Sequence, residues 1–194
     1  MSKNSFDTIL ENGTVYDGTG RPGLVADVGI VDDRIKHIGN LEDADSVQRI
    51  NVQGLAVSPG FIDLHTHSDF TLVVDGSAES QVHQGVTTEV IGQCGHSVAP
   101  VCHHDEIAKR AIGFVAGSKI KGWKSFGEYL ETLEAQELGV NVAAFVGHGT
   151  VHHAVMGDDL RLPEPEEVDQ MALLVEQSIE EGAAGFSTGL EYWP

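Results

Sequence analysis

Residues 56–69 read Ala56-Val57-Ser58-Pro59-Gly60-Phe61-Ile62-Asp63-Leu64-His65-Thr66-His67-Ser68-Asp69, an apolar run that ends on two histidines one residue apart. Alternate side chains of a strand point to one face, so His65 and His67 are expected to aim their imidazoles the same way. Two converging neutral imidazoles are half of a tetrahedral zinc shell. Pro59 and Gly60 punctuate the entry, and continuous hydrophobics mark a strand buried in a parallel sheet. The histidines stand where such a strand would emerge. A bare His-x-His pair is most often solvent-exposed and unliganded, so the motif has to be weighed with the rest of the chain.

Downstream, strands and helices alternate. Phe61 to Leu64 reads as a strand, and Ala78 to Gln84 as a short helix stopped by Gly85. Residues 87–92 make a second strand closing on Gln93-Cys94-Gly95-His96. Helices are expected over 105–115 and 126–138, the second with Tyr129, Leu130 and Leu133 at helical spacing. Residues 140–146 form a third strand opening onto Gly147-His148-Gly149-Thr150. The clearest helix runs from Glu164 to Glu181, with acidic first turns, an apolar stripe of Met171, Leu174, Val175 and Ile179, and Gly182 as its stop. A fourth strand, 183–187, leads into Ser187-Thr188-Gly189-Leu190-Glu191-Tyr192. This alternation predicts an α/β fold with a parallel sheet and crossover helices. Chemistry gathers at the carboxyl ends of such strands. The first three strands end there in metal-ligand types: His65 and His67, then Cys94 or His96, then His148.

Upstream, residues 1–57 read as a separate small antiparallel β unit. Asp7-Thr8-Ile9-Leu10 runs into Asn12-Gly13, the favoured hairpin dipeptide, and Thr14-Val15-Tyr16 is expected to return. A second hairpin pairs Asp27 to Val31 with Arg34 to Gly39 across an Asp32-Asp33 turn. Residues 58–194 form the second predicted domain.

Lys and Arg total 11 against 30 Asp and Glu in 194 residues, a formal net charge of -19. This balance argues against a nucleic-acid or anionic-membrane partner, since both need clustered cations. Only Cys94 and Cys102 occur, too few for a disulfide framework. Met1 to Asp7 holds no signal-like apolar core, and no apolar stretch approaches a membrane span. A cytoplasmic protein is the expectation.

Four stretches together resemble the amidohydrolase superfamily, and within it the D-aminoacylase (N-acyl-D-amino-acid deacylase) group. They are Gly60 to Asp69, Gly85-Val86-Thr87-Thr88 leading to Gly92-Gln93-Cys94-Gly95, Val146 to Thr150, and Gly185 to Tyr192. The first marks the superfamily; a cysteine after the second strand with Ser-Thr-Gly-Leu after the fourth is more specific to the deacylases. Gln93 stands where the group usually has asparagine, and His152 where an arginine is common.

The resemblance implies the first half of a (β/α)8 TIM-type barrel, strands one to four, preceded by a small antiparallel β-sandwich. It implies one or two zinc ions (Zn2+) with His65, His67 and Cys94 as metal ligands, and attack on an amide by water activated on the metal. The expected substrate is a small N-acyl amino acid. Two further histidine ligands and a catalytic aspartate are expected beyond residue 194, so the chain reads as part of a longer protein, incomplete and inactive alone. His148 and Tyr192 are substrate-binding candidates, and Asp69 is a candidate to orient an imidazole from behind, as Asp63 is. Glu191 is a candidate bridging carboxylate, because no lysine stands near Ser187 to serve as the carboxylated bridge of related barrels.

Rival readings remain at this point. Cys94 and His96 could form a nucleophilic pair, which would leave His65 and His67 unexplained. A cyclic-amide hydrolase of the dihydroorotase or hydantoinase kind would be expected to carry the fourth-strand lysine. A non-catalytic scaffold would have no need for intact His65, His67 and Cys94. His152-His153 read as helix-start or surface residues, and His103-His104 as an exposed polar run, at most a weak metal scavenger.

Overall fold

A computed structural model of the chain describes residues 5–100 and 123–191. Two compact units are formed, Met1–Pro59 and Gly60–Pro194. The first holds strands β1 (Ser5–Val15), β2 (Leu24–Val31), β3 (Arg34–Gly39), β4 (Asp45–Asn51) and β5 (Ala56–Val57). Their order is β3-β2-β1-β4, with β5 also against β1.

The β2–β3 hairpin forms as expected, Val31 opposite Arg34 across a tight turn in which Asp32 is left-handed at φ 53°. The Asn12-Gly13 hairpin does not form, which corrects the sequence reading. Both residues lie inside the single strand β1, where the register to β2 shifts between Leu10 and Gly13. Asn12 takes a left-handed φ of 65° and donates its N–H to Asp27 Oδ1 at 2.9 Å. The dipeptide that makes a tight turn also makes a bulge, because both need a positive φ. Gly13 has a packing reason as well: a Cβ there would sit 2.8 Å from Val57 and 2.9 Å from Val52.

The sheet is mixed rather than antiparallel, a second correction. Residues Ser5 to Glu11 of β1 pair in parallel with β4, and Thr14 and Val15 pair in parallel with β5. The bulge divides β1 between these two partners. Phe6, Ile9 and Leu41 form a small core, flanked by Val31 and Ala44. Arg49 ties its rim together, its guanidinium donating to Glu11 and to the carbonyls of Leu41 and Ala44.

The second unit is built on four parallel strands in the order β6 (Phe61–Asp63), β7 (Val86–Ile91), β8 (Asn141–Gly147), β9 (Gly185–Ser187). Helices α1 (Thr71–Val74), α2 (Glu79–Val82), α3 (Phe126–Glu134), α4 (His148–Met156) and α5 (Pro165–Glu180) lie in the connections. The expected parallel sheet with crossover helices is therefore present, in sequence order. The helix expected over 105–115 lies outside the described residues.

One face of this sheet presents Ile91, Ala144 and Val146 to Trp123, Phe126, Tyr129 and Leu133, all buried. The Trp123 and Tyr129 rings lie 4.9 Å apart between centroids, tilted at 47°. Aromatic side chains bury more area per residue than most others and so carry much of the stability of such a core. Helix α3 starts at Ser125, whose hydroxyl accepts from Glu128 N–H at 3.3 Å. Helix α5 starts at Pro165 behind a capping box of Glu164 and Glu167.

The stripe of α5 differs by one position from the expectation. Met171, Leu174 and Val175 pack on the core, but Ile179 is 44% exposed and Ser178 takes the inward place. Ser178 is seven residues after Met171, which returns it to the same face of a 3.6-residue helix. Its hydroxyl is satisfied by the Leu174 carbonyl at 2.7 Å. Helix α4 begins at His148, four residues before the His152-His153 pair that reads as a helix start, and so holds both histidines in its interior. Two glycines in Gly147-His148-Gly149-Thr150 read as loop, and few of its side chains are apolar and buried.

Candidate metal centre

The chain leaves β6 earlier than the apolar run suggests. The strand ends at Asp63, whose carboxylate accepts the His65 N–H at 3.1 Å and turns the backbone. Gln93 Nε2 donates to the Leu64 carbonyl at 3.0 Å, and Thr66 N–H reaches the Val90 carbonyl at 3.3 Å. His65-Thr66-His67 thus stands in a bend just past the strand, and strand alternation is not what aims the two rings. They nevertheless lie 5.5 Å apart, edge to face at 69°.

Cys94 arrives from the next strand. Beyond β7 the backbone is left-handed at Gly92 (φ 75°), Cys94 (φ 58°) and Gly95 (φ 76°). A side-chain-bearing residue in that region costs roughly 1–2 kcal/mol, so the conformation of Cys94 must be held by its surroundings. Part of the hold is close backbone approach. A Cβ on Gly92 would lie 2.0 Å from the Phe145 carbonyl oxygen, and one on Gly147 would lie 2.5 Å from the Gly95 oxygen. The Gly95 carbonyl also accepts the Gly149 N–H at 2.8 Å.

The outcome is that Cys94 Sγ sits 3.0 Å from His65 Nε2. One ligand atom from each of His65, His67 and Cys94 lies within 4.8 Å of the others. The two histidines are exposed and the cysteine is half-buried, so the cluster opens to solvent. Ligand atoms around a tetrahedral zinc are separated by roughly 3.6 Å, given Zn–N and Zn–S bonds of about 2.1 and 2.3 Å. Two imidazoles and a thiol at these separations fit a soft-to-borderline divalent ion. The imidazole that the thiol meets is that of His65, and the main-chain N–H of His96 donates to the Gln93 carbonyl at 2.9 Å, closing the Cys94 turn.

Asp69 lies beside the same loop, 5% exposed. Burial pushes its carboxyl up to about 7; the main-chain N–H groups of Asp69 and Gly92 pull it back down, and the charge of Glu89 raises it. Its carbonyl accepts the Tyr129 hydroxyl at 3.1 Å. Glu89, in the middle of β7, was not singled out by sequence. It is 0% exposed, and neither carboxylate oxygen has a hydrogen-bond partner among the described residues. A glutamate inside Val86-Thr87-Thr88-Glu89-Val90-Ile91 was the available signal.

His148 is the first residue of α4. Its ring lies 6.3 Å from that of His152 and 6.3 Å from Phe186 on β9. Burial, then the nearby His148 and His153, depress the His152 imidazole below its ordinary value. Glu191 is exposed in the bend after β9. Tyr192, Cys102, His103 and His104 lie outside the described residues. The structure thus gathers His65, His67 and Cys94 into one cluster and places Asp69 beside the Cys94 loop.

Ligand-type side chains at the carboxyl ends of adjacent parallel strands define an α/β protein with a candidate metal site. The chain belongs to the amidohydrolase family, which matches residues 48–193. It is 43% identical over 189 residues to D-aminoacylase of Alcaligenes xylosoxydans xylosoxydans, covering 97% of this chain and 39% of that protein. It is 38% identical to N-acyl-D-glutamate deacylase of the same organism, covering 99% of this chain and 39% of the relative. A crystal structure of D-aminoacylase superposes with a TM-score of 0.85 at 42% identity, over 96% of this chain and 39% of that one. N-acyl-D-glutamate deacylase from Bordetella bronchiseptica, solved with zinc and a phosphonate mimic of the tetrahedral intermediate, gives 0.86 at 36% identity, over 98% and 40%. The chain therefore spans about 39% of the length of these relatives. No helix among the described residues is long and apolar enough to cross a membrane.

Proposed function

We propose that this chain contributes the metal-ligating first part of a zinc-dependent amidohydrolase that cleaves a linear amide, deacylating an N-acyl-D-amino acid. The observation that carries the reading is the meeting of His65, His67 and Cys94 within 4.8 Å. The kinship to D-aminoacylase and N-acyl-D-glutamate deacylase supports the linear-amide class. Residues 1–57 belong, on this reading, to a β-sandwich domain and residues 58–194 to a (β/α)8 barrel.

His65, His67 and Cys94 would hold the first zinc ion, and Glu191 is the candidate carboxylate if a second ion is bound. A bound zinc would supply Lewis acidity toward the scissile carbonyl and would lower the pKa of bound water to about 7. The chain's own residues prepare the place. Asp63 turns His65 out of the strand, and Gln93 pins the Leu64 carbonyl to the Cys94 loop. His148 and Tyr192 are proposed to contact the substrate.

The test uses the full-length protein containing these residues, assayed with N-acyl-D-amino acids, their L enantiomers and cyclic amides, alongside metal analysis. Zinc-dependent release of the D-amino acid is expected. Turnover confined to hydantoins or dihydroorotate would transfer the protein to the cyclic amidases. Absence of bound metal after loading with zinc would refute the metal-site reading outright.

A further inference from the structure

Ser187 closes β9, two strands away from the loop that carries Cys94, and is 9% exposed. Its hydroxyl accepts the Gly95 N–H at 3.0 Å and donates to the Gly92 carbonyl in a short hydrogen bond. These are the two residues that bracket Gln93-Cys94. One oxygen thus spans the left-handed turn from both sides, using its one proton and a lone pair.

The approach is tight. A Cβ on Gly95 would lie 2.9 Å from the Gly189 nitrogen, so the segment after β9 lies directly on the loop. A hydroxyl on a one-carbon stem is the side chain that fits there. The Gly92 carbonyl and Gly95 N–H would be costly to leave unsatisfied in a buried place.

We propose that Ser187 is a positioning residue for the metal site: by clasping Gly92 and Gly95 it holds Cys94 left-handed, with Sγ against His65. The inference rests on the proposed role of Cys94 as a metal ligand and extends it to a residue that touches no metal. The fourth strand then acts on the site through the shape of the second-strand loop, without supplying a ligand atom. Partners that orient a metal ligand are worth 10–100-fold in metal affinity when removed.

The experiment loads the full-length protein with cobalt(II) and measures its affinity and the thiolate-to-cobalt charge-transfer band. Ser187→Thr and Ser187→Val have nearly the same shape and differ in the hydroxyl, so a packing penalty falls on both. The Val variant should bind cobalt about 10–100-fold more weakly with a diminished band, and the Thr variant should stay close to wild type. Ser187→Ala, smaller than either, should behave as Val does. Ser178→Ala removes another buried hydroxyl, one bonded to the Leu174 carbonyl on α5, and should lower stability without moving the band. Equal affinity and band in the Thr and Val variants would overturn the proposal, as would an equal loss of affinity in Ser178→Ala. A wild-type protein that binds cobalt without a thiolate band would instead remove the Cys94 ligand reading, and this proposal with it.

Discussion

Gly92→Ala tests the idea that the Cys94 loop is held by backbone contact with the neighbouring strand. Two penalties are predicted at this position. The backbone is left-handed at φ 75°, which costs an L residue roughly 1–2 kcal/mol. The new methyl would also stand 2.0 Å from the Phe145 carbonyl oxygen, 2.8 Å from its carbonyl carbon and 3.1 Å from its nitrogen. Those atoms are strand backbone, so relief requires β7 and β8 to part at their carboxyl ends. Forcing a methyl into a packed place of this kind costs about 1–3 kcal/mol more. The total is roughly 2–5 kcal/mol. Gly85→Ala separates the two contributions. Gly85 is also left-handed, at φ 82°, but its nearest neighbour would be the Phe61 ring at 3.4 Å, an ordinary contact. That variant should lose only the backbone portion, roughly 1–2 kcal/mol. Urea unfolding followed by tryptophan fluorescence suits the comparison, because Trp123 is buried in the core of the second unit. With equal m-values, the midpoints report stability directly. Equal destabilisation in the two variants would refute the claim that Gly92 is required by the approach of β8.

Other expected outcomes concern the site and the core beneath it. Cys94→Ser should weaken zinc binding by more than the 10–100-fold expected for an outer partner, measured by competition with a chelator; wild-type affinity would exclude the thiol as a ligand. Metal binding displaces protons from thiol and imidazole donors, so zinc affinity should fall steadily on acidification and be regained on return to neutral pH. The Asp69 carboxyl is held at about 7 against an ordinary 3.8, so its contribution to stability is complete below pH 3.8 and lost as pH rises through 7. In metal-free protein, Asp69→Asn should remove that decline, up to about 4 kcal/mol for three pKa units, and parallel pH profiles of the two proteins would count against it. Tyr129→Phe leaves the buried Asp69 carbonyl without its donor and should cost about 1–3 kcal/mol in the same denaturation assay.

Much of the second unit is legible in sequence because its signals are local. Apolar runs bounded by glycine mark β6 to β9, and the acidic start and glycine stop of α5 need no knowledge of what the helix meets. His65, His67 and Cys94 can be picked out by residue type and by their place after successive strands. The readings that fail do so where one local signal serves two structures. Asn12-Gly13 suits a hairpin or a bulge, and the partners of β1 on either side of it decide between them. Gly147-His148-Gly149-Thr150 looks like loop, yet a helix starts there directly from β8.

What the sequence by itself determined is the inventory: a parallel α/β order, a separate β unit and three ligand-type side chains at strand ends. Their meeting was decided by tertiary structure. Cys94 occupies a backbone conformation that its own residue type disfavours, and the hydroxyl clasping its loop comes from a residue 92 positions beyond Gly95. Local preference weighs each residue against its sequence neighbours. A left-handed cysteine is stable only when partners distant in the chain hold it, and such partners are known only once the strands lie side by side.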